Sequence, residues 1–140
     1  MNWFAFSLLS AFFAALTAIL AKIGIKNVDS NLATAIRTVV ILFFAWGIVL
    51  FQNTAREITK ISSFSLLFLI LSGVTTGLSW LFYFRALQLG NASQVAPIDR
   101  LSLIITIILA VVILREKVSM QVILGGLLMV FGAIMIAFTK

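Results

Sequence analysis

Five runs of about twenty apolar residues follow one another along this chain, each parted from the next by a short polar break. Coiled as a helix at about 1.5 Å per residue, a run of that length matches a hydrocarbon layer about 30 Å thick. The runs are read as helices over 3–25, 32–51, 64–87, 94–114 and 119–138. They consume most of the 140 residues and leave no room for a separate soluble domain. At 63% hydrophobic and 10% charged, the chain also has too little polar surface to cover a particle in water. The expected fold is therefore all-α and integral to the membrane, one domain over 1–140 with five transmembrane helices. Met1-Asn2-Trp3 has no basic side chain and the first apolar run outlasts a typical signal h-region, so no signal peptide is expected.

The absent residue types narrow the chemistry. With no Cys there is no disulfide, thiolate nucleophile or thiolate metal ligand, and with no His the commonest general base and metal ligand is missing. Asp29, Glu57 and Glu116 fall in the polar breaks, which leaves Asp99 as the one carboxylate inside a run. An enzyme is not expected, nor is a bound metal or cofactor, and no phosphate-binding glycine loop is present. The net charge of +6 would suggest nucleic acid on a soluble protein. Here the ten Lys and Arg stand singly near helix ends, as headgroup anchors do, so the expected surroundings are a lipid bilayer and no nucleic acid.

The breaks define the path. Residues 26–31 read as a tight turn between antiparallel helices, and 52–63 as a longer polar segment carrying Arg56, Glu57 and Lys60. Pro97 is placed in the first turn of the fourth span, where a missing N–H costs little. Arg115-Glu116-Lys117 ends that span and Ser119 is positioned to cap the fifth. With five spans the termini lie on opposite sides of the membrane. The amino-terminal side then holds Arg56, Lys60, Arg115 and Lys117, and the other side holds Lys22, Lys26, Arg37, Arg85, Arg100 and Lys140. Several of the latter lie within spans, so the positive-inside rule chooses no orientation. Either other factors fix one orientation, or both are inserted and pair as an inverted homodimer.

Polar residues inside the spans fall at helical spacing. Ser72, Thr76, Ser79 and Tyr83 follow offsets of four, seven and eleven, and Asp99, Ser102 and Thr106 follow offsets of three and seven. Hydroxyls in membrane helices often bond back to their own carbonyls, but two aligned stripes, one with a carboxylate, suit a lined cavity. Arg37 and Asp99 enter from the same side, each six residues past a polar break, about 9 Å deep. Asp99 is too short to reach the interface and must meet a cation, water or a proton; Arg37, Arg100 and Lys22 are the candidate partners. The alternative for Asp99 is an ion pair that fixes helix register. Lys22 continues the small-residue face of Ala11, Ala15 and Ala18 and is expected in a close helix contact, while Arg85 is expected to anchor at the interface. Gly73 and Gly77 form a GxxxG, and Gly125, Gly126 and Gly132 mark the last span as another candidate contact helix, within the protomer or between protomers. Trp3, Trp46 and Trp80 suit interface anchoring, with a cavity border as the other reading of Trp80 beside Ser79.

Several motifs in order, 83-YFRALQLGNAS-93, then Val95-Ala96-Pro97, then Leu114-Arg115-Glu116-Lys117, then Gly126 and Gly132, resemble the EamA-type family of the drug/metabolite transporter superfamily. Lys22-Ile23-Gly24 and Ala35-Ile36-Arg37 are similar to the family's first half. The resemblance covers one complete repeat. It implies one inverted-repeat unit of a ten-helix transporter fold, and a secondary transporter of small metabolites, amino-acid-like or otherwise polar or zwitterionic, working by alternating access. Many relatives carry two repeats in one chain, whereas this chain has one. An odd-span repeat in tandem is necessarily inverted, so two copies in opposite orientation would rebuild that architecture. Many relatives also have a second proline where this chain has Leu103, which leaves a kink-based gate in question. The expected location is a prokaryotic plasma (inner) membrane. The surplus of cations favours an anionic or zwitterionic solute. The competing class is a non-transporting membrane subunit with an assembly or regulatory role.

Overall fold

A computed structural model describes residues 2–138, and every apolar run in it is helical. Helix α1 spans Trp3–Gly24, α2 Ser30–Phe51, α3 Ser63–Leu89, α4 Ala92–Asp99, α5 Ser102–Val112 and α6 Met120–Ala137. Among the described residues five stretches are long and apolar enough to cross a membrane, Ala92–Val112 counting as one of 21 residues. Lys140, assigned above to one side, lies outside the described residues.

The turn from α1 into α2 shows how the boundaries arise. Asn27 takes the left-handed conformation, φ 64°, which Asn tolerates better than most residues. Asp29 is extended, and its Oδ1 accepts from the amides of Asn31 at 2.9 Å and Leu32 at 3.0 Å. Two orphan donors are thereby satisfied and α2 starts at Ser30, two residues before the apolar run does. The segment after α2, read as merely polar, holds a 3-10 helix over Thr54–Lys60 behind a left-handed Asn53. Ser119 does stand at the N-cap of α6, yet only its carbonyl is used, accepting from Val122 and Ile123. Its side chain makes no capping bond.

The fourth span departs most from expectation. A continuous helix over 94–114 was expected, with Pro97 in its first turn; instead the helix begins at Ala92 and Pro97 sits inside α4. Proline removes the bond that the Ser93 carbonyl would accept. One turn later the ladder shortens: Leu101 donates to Ile98, Leu103 to Arg100 and Ile104 to Leu101, all three-residue steps near 3.0–3.1 Å. This 3-10 step separates α4 from α5 without a proline at Leu103. Beyond α5, Arg115 is left-handed at φ 55° and the Glu116 amide reaches back to the Ala110 carbonyl at 3.2 Å. The helix thus ends on a left-handed residue, with arginine where glycine is usual, and one wide backbone bond closes the turn.

The chain divides into two compact units, residues 21–88 and residues 1–20 with 89–140. In the first, Ala21, Ile25, Phe84 and Leu87 are buried together with the polar Ser30 and Thr34. The Thr34 hydroxyl donates to the Ser30 carbonyl at 2.8 Å, so its burial leaves no donor orphaned. In the second, α4 and α5 both pack on α6. Gly126 lies where that packing is tight: a Cβ there would lie 2.6 Å from Ile104 Cδ1, so the end of that side chain would have to turn aside. Gly73, Gly77, Gly125 and Gly132 face open space, so among the described residues the GxxxG of α3 makes no close helix contact. Ala11 and Ala15 are likewise exposed and only Ala18 of that face is buried. Inside a bilayer such burial brings little hydrophobic gain, because lipid tails are as apolar as leucine; close packing and hydrogen bonds hold the helices instead.

Candidate functional site

Arg37 stands seven residues into α2, about 10 Å from its start at 1.5 Å per residue. On α3, which runs toward the same end, Trp80 and Phe84 lie one turn apart and therefore on one face. The guanidinium carbon of Arg37 is 4.9 Å from the centroid of the Trp80 ring and 4.9 Å from that of Phe84. Phe84 is almost fully buried, and Arg37 and Trp80 are half-buried. Tyr83, the residue before Phe84, is close enough to interact electrostatically with Arg37. Its ring meets Phe84 edge-on with centroids 6.3 Å apart.

This arrangement addresses a definite cost. A charge near mid-bilayer costs about 2.5–3.5 kcal/mol on insertion scales. A cation over an aromatic face recovers about 0.5–2 kcal/mol, depending on desolvation. Two rings thus offset a large part of the penalty without a carboxylate. The unit over 21–88 contains two carboxylates, Asp29 and Glu57. Asp29 caps α2 and Glu57 lies in the 3-10 helix beyond its far end, so neither is used against Arg37. Rings that engage the faces of a guanidinium leave its N–H edge, the part that matches a carboxylate in two parallel bonds, for another group.

Above Tyr83 the stripe on α3 continues through Ser79, Thr76 and Ser72, all three exposed. The Thr76 hydroxyl donates to the Ser72 carbonyl at 2.8 Å, and Thr106 on α5 donates to Ser102 at 2.9 Å. These threonines keep their oxygen lone pairs for an incoming donor but spend their proton on the helix. Asp99 and Arg100 occupy the junction of α4 and α5, both exposed, with Ser102 opening α5. Thus the structure joins Arg37 to the Tyr83 end of the first stripe and sets Asp99 at a helix break.

Two further cations, Lys22 and Arg85, serve the end of α3. Lys22, on the expected contact face, donates from Nζ to the Leu87 carbonyl at 2.5 Å. Arg85, expected as a plain anchor, donates from Nη1 to Gln88 Oε1 at 2.9 Å, and Gln88 Nε2 donates to the Val28 carbonyl at 2.5 Å. The last turn of α3 is therefore bolted to the turn between α1 and α2. Trp3 and Trp46 are exposed, as interface anchors would be. Sequence reasoning missed Phe84 and Gln88. The available signal was the spacing Trp80, Phe84, Gln88, a four-residue stripe beside the polar one and at the depth of Arg37.

Comparison with known proteins adds the lineage. An uncharacterized transporter in the cobO 3' region of a Sinorhizobium species is 46% identical over 136 residues, covering 97% of this chain and 96% of that protein. No solved structure matches. The EamA-like transporter family matches over residues 1–138, nearly the whole length of the apolar helices and the cation-bearing turns just described. This chain, an all-helical membrane protein with five membrane-spanning helices, belongs to the EamA-like transporter family.

Proposed function

We propose that this protein is a secondary transporter protomer that moves small metabolites bearing a carboxylate, zwitterionic or anionic, by alternating access. The observation that carries the reading is Arg37: a guanidinium inside a span, faced by Trp80 and Phe84, with its N–H edge not neutralised by either carboxylate of its own unit. Ser72, Thr76, Ser79 and Tyr83 on α3, with Asp99, Ser102 and Thr106 on the fourth span, line the path. Asp99 serves as its acidic member, exchanging between a cation, with Arg37, Lys22 and Arg100 as candidates, and a solute amine or a proton. The 3-10 step beside Asp99 supplies a place where the fourth span can bend.

The functional unit is two copies in opposite orientation. A single five-span repeat has its termini on opposite sides, and an inverted pair recreates the pseudo-symmetric frame in which alternating access operates. The open GxxxG on α3 and the open Gly125 and Gly132 on α6 leave surfaces suited to that pairing. The bacterial source of the related transporter favours a prokaryotic inner membrane.

Reconstituted flux tests the reading. Asp99→Asn is expected to leave the protein folded and to impair transport of amino-acid-like solutes; full flux would remove Asp99 from the mechanism. Arg37→Gln is expected to raise the KM for carboxylate-bearing solutes at least tenfold, the loss of about 1.5–3 kcal/mol for a charge-assisted pair. An unchanged KM would remove Arg37 from recognition. Reporters fused to the C-terminus are expected on both sides of the membrane, and signal from one side alone would defeat the inverted pair.

A further inference from the structure

A second basic site lies in the unit over 21–88, at the end of the helices rather than inside them. Lys22, Ile25, Lys26, Asn27 and Gln88 line a recess of about 410 Å³ where α1 ends and the turn to α2 begins. Its walls are held in place. Lys22 is tied to the Leu87 carbonyl, and the Gln88 amide is fixed at both ends, by Arg85 and by the Val28 carbonyl. The left-handed Asn27 sets the direction of the turn.

The charge balance of this corner is positive. Three cations, Lys22, Lys26 and Arg85, meet one carboxylate, Asp29, whose Oδ1 is committed to the amides of Asn31 and Leu32. The carbonyl ends of α1 and α3 contribute roughly half a negative charge each, and the start of α2 roughly half a positive one. A net positive charge of between one and two remains. Cations that only completed the helix ends would leave no such excess, and an exposed Lys26 past the end of α1 would not be needed for that purpose.

The depth of the recess decides what it meets. α1 ends at Gly24 and α2 begins at Ser30, so the recess sits where five apolar spans leave the hydrocarbon for the headgroup layer. Ile23, beside Lys22, is 69% exposed and offers an apolar edge to an acyl chain. The geometry points to a site for the phosphate of an anionic lipid headgroup, held by Lys22 and Lys26 with the Asn27 side-chain amide as a further donor. The same chemistry would accept free inorganic phosphate; the adjoining apolar edge and the interfacial depth select the lipid.

Native mass spectrometry of the detergent-solubilised full chain tests this, with phosphatidylglycerol, phosphatidylcholine and inorganic phosphate as probes. The parent is expected to retain phosphatidylglycerol at least about tenfold better than phosphatidylcholine. Lys26→Gln is expected to weaken that retention about fivefold, the usual worth of one interfacial lysine, and Lys26 is exposed, so the fold is expected to tolerate the change. Lys60→Gln, in the 3-10 helix away from the recess, serves as the charge control and is expected to leave retention unchanged. Equal retention by Lys26→Gln, or an equal loss in Lys60→Gln, would overturn the site. Displacement of the lipid by millimolar inorganic phosphate would overturn the assignment to a lipid.

Discussion

Arg37 and Phe84 form a pair whose energy can be isolated. The guanidinium carbon is 4.9 Å from the Phe84 centroid, inside the ~6 Å range where a ring quadrupole attracts a cation. Because Phe84 is only 2% exposed, little water or lipid competes for that face, and the upper half of the ~0.5–2 kcal/mol range applies. Phe84→Leu removes the quadrupole and keeps most of the volume, but it also loses packing, so its own cost of about 1–2 kcal/mol is uninformative. Arg37→Met removes the charge and keeps the stem, and is equally mixed. The double-mutant cycle cancels both side effects and leaves the pairwise term, expected at about 1.2–2 kcal/mol. Reversible unfolding in mixed micelles titrated with sodium dodecyl sulfate measures each corner. Phe82, on the same helix but 75% exposed, provides the control cycle with Arg37 and is expected to couple by less than about 0.3 kcal/mol. A Phe84 coupling no larger than the Phe82 coupling would refute the view that the rings stabilise the buried cation.

Glycines on α3 and α6 should separate by the same assay. Gly126→Leu crowds Ile104 and Ile107 and is expected to destabilise the protomer by about 1–3 kcal/mol, whereas Gly77→Ala meets nothing within 4 Å inside the protomer and is expected to leave protomer stability unchanged or raise it by up to about 1 kcal/mol, any loss being confined to the pairing of two copies. An equal cost for both would contradict the packing of α6. The two capping positions should differ as well. Asp29→Ala loses bonds to two amides and is expected to cost about 1 kcal/mol; Ser119→Ala loses no capping bond and is expected within about 0.5 kcal/mol of the parent. A large effect at Ser119 would mean that its hydroxyl does cap α6.

The five spans were legible because a bilayer imposes one length and one polarity on anything that crosses it, and both are properties of a linear string. The site was legible only in its polar half. Arg37, Tyr83 and Asp99 stand out in an apolar sequence, and their depth can be counted from the nearest break. Phe84 does not stand out, since it is one of thirteen phenylalanines and nothing in a hydropathy pattern separates a ring that faces lipid from one that faces a guanidinium. Glycine has the same ambiguity: Gly73, Gly77 and Gly126 look alike in sequence, yet only Gly126 is pressed by a neighbour within the chain. The break at Arg100–Leu101 was hidden for a different reason. Pro97 marks a lost hydrogen bond, but whether the ladder yields at the proline or one turn later depends on how α4 and α5 seat on α6, which is tertiary information. In a membrane protein, then, sequence reports where a polar group is too deep to be accidental, and structure is needed to report what surrounds it. The charge of Arg37 could be read at once; that the rings of Trp80 and Phe84 stand against it could not.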